Sequence, residues 1–396
     1  MAMPIAKWAT RKVRGTAVVL GLCTAVTTGL TPPLHAEPHS PLDIAVEAVV
    51  TAGAPGVYAV AESGGDSEHA AAGVARLGSG RSPDTEGRFR AGSVTKTFVA
   101  TVVLQLVAEG RIRLDDPVND HLPGLLPYTE PITIRQLLGH TSGLPRDIPH
   151  WNSPEEIDTR RWEVFTPAQL VREATQGVPL LFPPDTSFSY SNIGYTVLGM
   201  LVERVTGRSL ATEVTRRISA PLGLRDTTLP TYQPFLLRPA ARGYEQLRAD
   251  GAPTDVTTYV MSRVWGSGNL VSSARDLNRF FDALLEGRLL PEEQLTEMKT
   301  VRPGVLGGID YGLGIMSVPS PCGGPDWWGH GGDWPGYNTW SLHTEDTERQ
   351  LTAGMSIDLT APVEAHSAML NAVAVTALCD SSAPHATTVL EKPDLR

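Results

Sequence analysis

The segment from Arg88 to Lys96 constrains this chain most, because it carries a Ser-x-x-Lys sequence at the start of a predicted helix. Ser93 and Lys96 form the only such pair in the 396 residues. Apolar residues then recur at three- and four-residue steps up to Gly110, which predicts an amphipathic helix over 93–109. Because side chains three residues apart share one helix face, the hydroxyl and the amine are predicted to lie together.

The chemistry of this pair depends on the protonation of Lys96. Both residues lie in the first helical turn, where unpaired N–H groups and the helix dipole are positive. That field, together with burial, disfavours an ammonium ion, and a neutral Lys96 can accept the proton of Ser93. The alternative is an ordinary capped helix with a solvated lysine, so partners further along the chain are needed.

Two further motifs supply such partners. The chain has one Tyr-x-Asn, at Tyr190-Ser191-Asn192, and one His-x-Gly, at His330-Gly331-Gly332. With this order of motifs the chain resembles the active-site serine family of β-lactamases and penicillin-binding proteins. It is most similar to class C β-lactamases, related esterases and secreted D-alanyl-D-alanine carboxypeptidases. Further stretches carry the same resemblance, at 137–144, 221–224 and 266–273.

The resemblance implies a role for the first two motifs. Ser93 is expected to be the nucleophile of an acyl-enzyme mechanism, and Lys96 and Tyr190 are expected to move its proton. Which of the two is the base stays open. Asn192 is expected to orient Lys96 and the substrate. The structural alternatives are that Asn192 only caps a helix and that Tyr190 is an ordinary half-buried aromatic.

The third motif is expected to form the other side of the site. In the family, the residue after His-x-Gly donates a backbone N–H to the oxyanion hole, and here that residue is Asp333. The second donor is expected to be the N–H of Ser93. Gly332 lets the backbone approach a substrate closely. His330 taken alone is a core or metal-site histidine, but no other His or Cys stands at a convincing zinc spacing, so we expect neither metal nor cofactor.

The substrate-binding residues depart from the carboxypeptidase pattern. Carboxypeptidases of this type usually have a hydroxyl residue at position 333 and a basic residue just after the Tyr-Gly-Leu-Gly strand, where this chain has Met316. An aspartate facing a substrate carboxylate at about 4 Å is repulsive by about 1–4 kcal/mol. Neutral esters and amides, or a cationic group, are therefore expected to suit the site better, unless another basic residue such as Arg263 binds the carboxylate.

The sequence accordingly predicts a secreted serine hydrolase, similar to D-alanyl-D-alanine carboxypeptidases and acting on D-amino acid peptides. The alternatives are an esterase or a β-lactamase of the same family, or a penicillin-binding or sensor protein whose acyl-enzyme does not turn over. The expected partner is a small peptide, ester or β-lactam substrate. The segment from His140 to Gly143 is predicted to be a turn that fixes a loop near the cleft.

The predicted fold class is α/β, similar to β-lactamases and transpeptidases, with an antiparallel sheet flanked by helices and a mostly helical inserted domain. The α/β domain is predicted over 37–115 and 256–380, and the helical domain over 116–255. Further helices are predicted at 42–51, 133–139, 166–175, 193–206, 210–220, 275–285 and 361–379. Strands are predicted at 56–62, 69–77, 311–318, 327–330, 337–343 and 350–357.

The two ends of the chain have compositions of their own. Residues 1–36 are predicted to be a signal peptide, with four basic side chains before an apolar run and a plausible cleavage site at Leu34-His35-Ala36. Residues 381–396 are predicted to be a flexible tail. The net charge is −10, and −14 without the four basic side chains of the signal. That charge argues against nucleic acid and anionic membranes, and we expect a secreted monomer without a membrane anchor.

Only two cysteines, Cys322 and Cys379, remain after the signal. Export makes a disulfide between them the expected state, whereas two buried thiols are the alternative. The secreted carboxypeptidases that this chain resembles carry a disulfide in the corresponding region, which favours the bridge. In the loop-entropy model such a bridge stabilises the fold by about 4 kcal/mol.

Overall fold

The computed structural model describes residues 39–147, 151 and 153–379 of the chain. The predicted signal peptide and the predicted tail lie outside these residues. No helix among the described residues is long and apolar enough to cross a membrane.

Strands from both ends of the described chain form one antiparallel sheet. The described strands are β1 Gly56–Ser63, β2 Asp66–Gly73, β3 Phe89–Gly92, β4 Tyr244–Glu245, β5 Thr254–Asp255, β6 Leu270–Ser272, β7 Arg302–Leu306, β8 Ile309–Tyr311, β9 Met316–Val318, β10 Trp327–Trp334, β11 Tyr337–His343 and β12 Arg349–Met355. Eight of them form a sheet in the order β2-β1-β12-β11-β10-β9-β8-β7. The last strand, β12, pairs with the first, β1, with Val57 opposite Met355. This sheet confirms the predicted fold class.

Helices cover the sheet and fill the middle of the chain. They are α1 Pro41–Thr51, α2 Thr95–Ala108, α3 Val118–His121, α4 Ile134–Leu138, α5 Pro154–Thr159, α6 Pro167–Thr175, α7 Asn192–Thr206, α8 Leu210–Val214, α9 Ala220–Leu222, α10 Ala274–Leu285, α11 Glu292–Lys299, α12 Val363–Ala368 and α13 Val375–Leu378. Between 116 and 255 the described chain has seven of these helices and only the two-residue strands β4 and β5. The division into two domains at these boundaries stays a prediction.

Helix α1 begins at a capping box and buries one face. Ser40 Oγ accepts from the N–H of Asp43, and the Asp43 carboxylate accepts from the N–H of Ser40. Leu42, Val46 and Val49 are buried at helical spacing, in one apolar cluster with residues of the sheet and of the C-terminal helices.

Helix α2 differs from the amphipathic helix that was predicted. Every residue from Thr95 to Leu104 is buried, because helices α7, α8 and α11 pack against α2 within one large apolar cluster. Its polar side chains are satisfied internally: the hydroxyl of Thr97 donates to the carbonyl of Gly314, and that of Thr101 to the carbonyl of Thr97. Phe98 stacks on Phe280 with ring centroids 3.7 Å apart. The helix that carries Lys96 is therefore held on all sides.

Several boundaries differ from the predictions. The strand predicted at 327–330 continues to Trp334, and α11 and β7 were not predicted. The helices predicted at 210–220 and 361–379 each contain a π-helical stretch, at Thr215–Ser219 and Met369–Ala374. The structure joins Cys322 and Cys379 in a disulfide, with Cα atoms 5.9 Å apart. These are the two cysteines that remain after the predicted signal peptide, and the sequence analysis expected this disulfide.

A buried imidazole lies between β11 and α10, away from the motifs. His343 stacks on Phe281 with ring centroids 4.8 Å apart, and its Nε2 lies 3.0 Å from Ser341 Oγ. Its Nδ1 has no hydrogen-bond partner among the described residues. Burial lowers the pKa of His343 to about 3.

The burial of His343 predicts that acid lowers the stability of the fold. An unfolded histidine has a pKa of about 6.5, so the folded state resists protonation. The contribution of the neutral His343 to the free energy of unfolding is complete above about pH 6.5. It is lost as the pH falls toward about 3, because the unfolded state binds a proton that the folded state does not. We expect His343→Leu to weaken the pH dependence of the urea midpoint in this window. The control His39→Leu removes an exposed imidazole and should not. Parallel wild-type and His343→Leu curves would contradict this.

Candidate active site

Lys96 lies at the centre of the three motifs and is completely buried. Its Nζ lies 3.0 Å from Ser93 Oγ. It donates to Asn192 Oδ1 at 2.6 Å and to the carbonyl oxygen of Ser267 at 2.9 Å. Ser267 belongs to a stretch that the sequence analysis noted without giving this residue a role. Its carbonyl completes the set of oxygen atoms around the amine.

The electrostatic surroundings favour the neutral form of this amine. Burial, the largest effect, lowers the pKa of Lys96 well below its usual value, and Arg146 acts in the same direction. The carboxylates of Asp147 and Asp333 partly oppose this. A neutral amine has two hydrogens and one lone pair. The oxygens of Asn192 and Ser267 take the two hydrogens, and the lone pair then faces the hydroxyl of Ser93.

Tyr190 lies in the loop before α7, against the same amine. Lys96 Nζ is 4.7 Å from the centre of its ring. The side chain is buried, which raises the pKa of Tyr190, while the nearby Ser93 hydroxyl acts in the opposite direction. The phenol makes no hydrogen bond of good geometry with the described residues. The structure thus brings a phenol whose pKa is raised and an amine whose pKa is lowered to one serine.

Asn192 is the first residue of α7, and the residue before it, Ser191, is the N-cap of this helix. Ser191 Oγ accepts from the N–H of Gly194 at 3.1 Å, so the alternative that Asn192 caps the helix is wrong. Because Ser191 performs the capping, the amide of Asn192 is available to Lys96. Its Nδ2 donates to Oδ1 and Oδ2 of Asp147, both at 3.0 Å. Asp147 was not identified from the sequence.

The loop of Tyr190 and Asn192 lies against the segment from His140 to Arg146. The N–H of Ser191 donates to His140 Nδ1 at 3.0 Å, and its hydroxyl donates to the carbonyl of Pro145 at 2.7 Å. The N–H of Asn192 donates to the carbonyl of Arg146 at 2.8 Å. This turn, which the sequence placed near the cleft, therefore supports the Tyr-x-Asn loop directly.

A chain of hydrogen bonds connects this turn to the His-x-Gly strand. His140 Nε2 lies 3.2 Å from the hydroxyl of Tyr311, which lies 3.1 Å from His330 Nε2. His330 Nδ1 lies 2.5 Å from the carbonyl of Gly331. The two backbone groups fix the tautomers of the histidines. Because Nδ1 of His140 accepts from Ser191, its Nε2 carries the hydrogen and donates to Tyr311. Because Nδ1 of His330 donates to the carbonyl of Gly331, its Nε2 accepts from the hydroxyl of Tyr311. The role of Tyr311 was not predicted.

His330 is a neutral residue of this site. It is completely buried, and burial together with Lys96 lowers its pKa to about 3. An uncharged imidazole does not attract a substrate carboxylate as a lysine or arginine would. Within the ranges that the structure describes, no group of three His, Cys, Asp or Glu side chains is placed to hold a metal ion.

Strand β10 passes very close to the N-terminus of α2. A carbon added at Gly332 would lie 2.0 Å from the carbonyl oxygen of Ala91 and 3.2 Å from the nitrogen of Ser93. Only glycine permits this approach. Trp334 and Tyr337 form the pair that closes a two-residue turn. The adjacent pair, Asp333 and Asn338, is therefore a non-hydrogen-bonded pair of the two strands. The N–H of Asp333 points away from β11, which is the direction an oxyanion donor needs.

A pocket with an empty volume of about 820 Å³ opens beside Ser93. Its lining residues include the motif residues and several that the sequence did not indicate: Ser93, Asp147, Trp151, Asn192, Arg263, Val264, Ser267, Gly268, Asp333, Trp334, Pro335, Asp358 and Leu359. The described lining residues thus include three carboxylates and one guanidinium. Met316, expected near the substrate, is buried in β9 and is not part of this lining.

The amide of Asn338 joins two of these carboxylates. Its Nδ2 donates to Asp333 Oδ1 at 2.7 Å and to Asp358 Oδ1 at 3.3 Å. Asn338 lies opposite Asp333 on β11, and Asp358 follows β12. Because these residues are distant in sequence, no motif signals this pair.

The sequence and the fold match known proteins over most of the chain. Residues 42–378 match the family described as Beta-lactamase, so the chain belongs to the β-lactamase family. It is similar to penicillin-binding protein 4 of Amycolatopsis lactamdurans (33% identity over 58% of this chain and 58% of that protein). It is also similar to penicillin-binding protein 4* of Bacillus subtilis (30% over 75% and 66%) and to esterase EstB of Burkholderia gladioli (36% over 41% and 44%). The matched regions span less than two thirds of these relatives.

Solved structures agree over a larger share of the chain. A D-stereospecific amidohydrolase from Streptomyces sp. is 36% identical with a TM-score of 0.77, covering 87% of this chain and 99% of that chain. The D-amino acid amidase from Ochrobactrum anthropi SV3 is 28% identical with a TM-score of 0.70, covering 80% and 90%. These similarities confirm the β-lactamase and penicillin-binding protein family that the motifs indicated.

The contact at Gly332 gives a testable prediction. Gly332→Ala should displace β10 from Ser93 and lower the rate of acylation by an activated ester by about 10²–10³-fold, as expected for loss of an oxyanion donor. The control is Gly139→Ala, because its added carbon meets nothing closer than 3.4 Å and its φ is −93°. If Gly332→Ala acylates like wild type, the close approach has no role in the chemistry.

Proposed function

We propose that this protein is a serine hydrolase that forms an acyl-enzyme on Ser93. The single observation that supports this most strongly is the buried Lys96 amine, 3.0 Å from Ser93 Oγ. A serine hydroxyl is a weak nucleophile without an adjacent base. The remaining hydrogen-bond partners of Lys96 are oxygen acceptors, so its lone pair is available to the serine.

In the proposed reaction, Ser93 Oγ bonds to the substrate carbonyl carbon while its proton passes to Lys96. The backbone N–H groups of Ser93 and Asp333 stabilise the oxyanion. Collapse of the tetrahedral intermediate breaks the bond to the leaving group, which takes a proton as it departs. Water then hydrolyses the acyl-enzyme and regenerates the serine.

The proton roles follow from two opposite pKa shifts. Burial lowers the pKa of Lys96 and raises that of Tyr190. The lowered pKa favours the amine as the proton acceptor, and the raised pKa favours the phenol as a proton donor. We propose Lys96 as the base that accepts the serine proton and Tyr190 as the group that delivers a proton to the leaving group. Asn192 orients Lys96.

For the substrate, we propose an amide or ester of a D-amino acid with a free amino group. The pocket has three carboxylates and one guanidinium among its described lining residues, and His330 is neutral. An ammonium group is attracted to such a wall, whereas a terminal carboxylate is repelled by about 1–4 kcal/mol at about 4 Å. The similarity to an amidohydrolase described as D-stereospecific supports the D configuration.

We also propose export, as the sequence predicted. The N-terminal pattern of residues 1–36 supports a signal peptide. The disulfide between Cys322 and Cys379 supports an oxidising compartment. The monomeric state stays a prediction.

Three substrates test the proposed charge preference: D-phenylalanine amide, N-acetyl-D-phenylalanine amide and N-acetyl-D-alanyl-D-alanine. At a pH where the amino group is charged, kcat/KM should fall in that order, about tenfold for each 1.4 kcal/mol of lost attraction. Asp333→Asn should reduce the advantage of the free amine. The control Asp66→Asn removes an exposed carboxylate outside the pocket and should leave the ratio unchanged.

Other outcomes select the alternatives. Preference for the terminal carboxylate contradicts the substrate proposal and restores the carboxypeptidase hypothesis, with Arg263 as its binding residue. Turnover of simple esters or of a β-lactam alone identifies an esterase or a β-lactamase. Stoichiometric penicillin labelling of Ser93 without turnover identifies a penicillin-binding or sensor protein and contradicts the proposed hydrolase.

A further inference from the structure

We propose that Asp147 is a positioning residue, which keeps the lone pair of Lys96 on Ser93 by fixing the orientation of the Asn192 amide. This inference deepens the proposed function and rests on it. Asp147 lies at the end of the turn that supports the Tyr-x-Asn loop, seven residues after His140.

The first step of the argument is the direction of the amide. A carboxylate is only an acceptor, so both oxygens of Asp147 require the Nδ2 side of Asn192, which lies 3.0 Å from each. That contact leaves Oδ1 of Asn192 to face Lys96, at 2.6 Å. The orientation of the amide is thus set from outside the Ser93–Lys96 pair.

The second step is the effect on the amine. With Oδ1 of Asn192 as acceptor, Lys96 uses one hydrogen there and one on the carbonyl of Ser267. If the amide turned over, its Nδ2 would donate to Lys96 and occupy the lone pair. The amine would then present a hydrogen to Ser93, and proton abstraction would stop. A neutral lysine tolerates either amide orientation, so Asp147 determines which one is present.

The third step is how Asp147 is held. The carbonyl of the preceding residue, Arg146, accepts from the N–H of Asn192 at 2.8 Å. This hydrogen bond fixes the end of the turn relative to the Tyr-x-Asn loop. The Arg146 Nε lies 3.7 Å from Asp147 Oδ2. The carboxylate is half-buried, with 19% of its side chain exposed. Its position therefore follows from the backbone of the turn.

The fourth step concerns charge. Asp147 and Asp333 raise the pKa of Lys96, whereas Arg146 and burial lower it. The uncharged rings of His140, His330, Tyr190 and Tyr195 also face the amine. Asp147 itself is faced by Arg146, Arg263, Lys96 and Tyr190. Removing the charge of Asp147 lowers the proton affinity of Lys96 further.

The test is the pH dependence of Ser93 acylation in Asp147→Asn, which is nearly isosteric. The second-order rate of acylation by p-nitrophenyl acetate, measured from pH 4 to 9, reports the free enzyme. We expect a plateau lowered by about tenfold or more, because the amide and the base lose their fixed geometry. We also expect the acid limb to move to lower pH. Asp147→Ala should show the same shift, and Asp66→Asn should show none.

The outcomes are distinct. Either a wild-type plateau or an unshifted acid limb in folded Asp147→Asn overturns the inference. A wild-type plateau would show that the orientation of the Asn192 amide does not affect the reaction, and a lowered plateau with an unshifted limb is what a merely structural role gives. A thermal melt of each variant identifies misfolding, in which case Asp147→Glu, which keeps the charge, must retain the wild-type limb or the inference fails. If wild-type Ser93 is not acylated at all, the proposed function itself is wrong and this inference falls with it.

Discussion

The site depends on one constraint: a lysine amine is buried, and no carboxylate of the described residues is in direct contact with it. Lys96 has three oxygen neighbours, from Ser93, Asn192 and Ser267, and none of them carries a full charge. A buried ammonium ion is costly in such surroundings, so burial lowers the pKa of Lys96 and favours the neutral amine. Two acceptors then take its hydrogens, which directs the lone pair to Ser93. The proposed nucleophilic chemistry is a consequence of this geometry.

The rest of the fold maintains that burial from several directions. Helix α2 is buried from Thr95 to Leu104, the stretch that carries Lys96. The turn at 140–146 supports the Tyr-x-Asn loop through backbone hydrogen bonds, and it continues through Tyr311 to His330. Strand β10 approaches Ser93 at a glycine. Three separate parts of the chain thus converge on the N-terminus of one helix.

The sequence predicted those parts of the site that are local. The Ser-x-x-Lys spacing on a helix, the Tyr-x-Asn loop before the next helix and the glycine after His330 can all be recognised within a few residues. The sequence did not predict contacts that the fold alone creates, such as Asp147 with Asn192, the carboxylate pair at Asn338, or Tyr311 between two imidazoles. It gave helix capping by Asn192 as the alternative to a role in the site, whereas Ser191 is the cap, since both residue types are good caps. Helix α2 appeared amphipathic in the sequence because threonines interrupt its apolar residues. In the structure these threonines are buried, and their hydroxyls form hydrogen bonds inside the protein.

The central claim is that Ser93 reacts because a neutral Lys96 accepts its proton. The most direct measurement is covalent labelling by a fluorophosphonate, followed by peptide mapping and by labelling rates for wild type, Ser93→Ala and Lys96→Ala. We predict a label on Ser93 alone, no label in Ser93→Ala, and a rate lowered by about 10²–10⁴-fold in folded Lys96→Ala. A label on another serine, or an undiminished rate in Lys96→Ala, would contradict the claim.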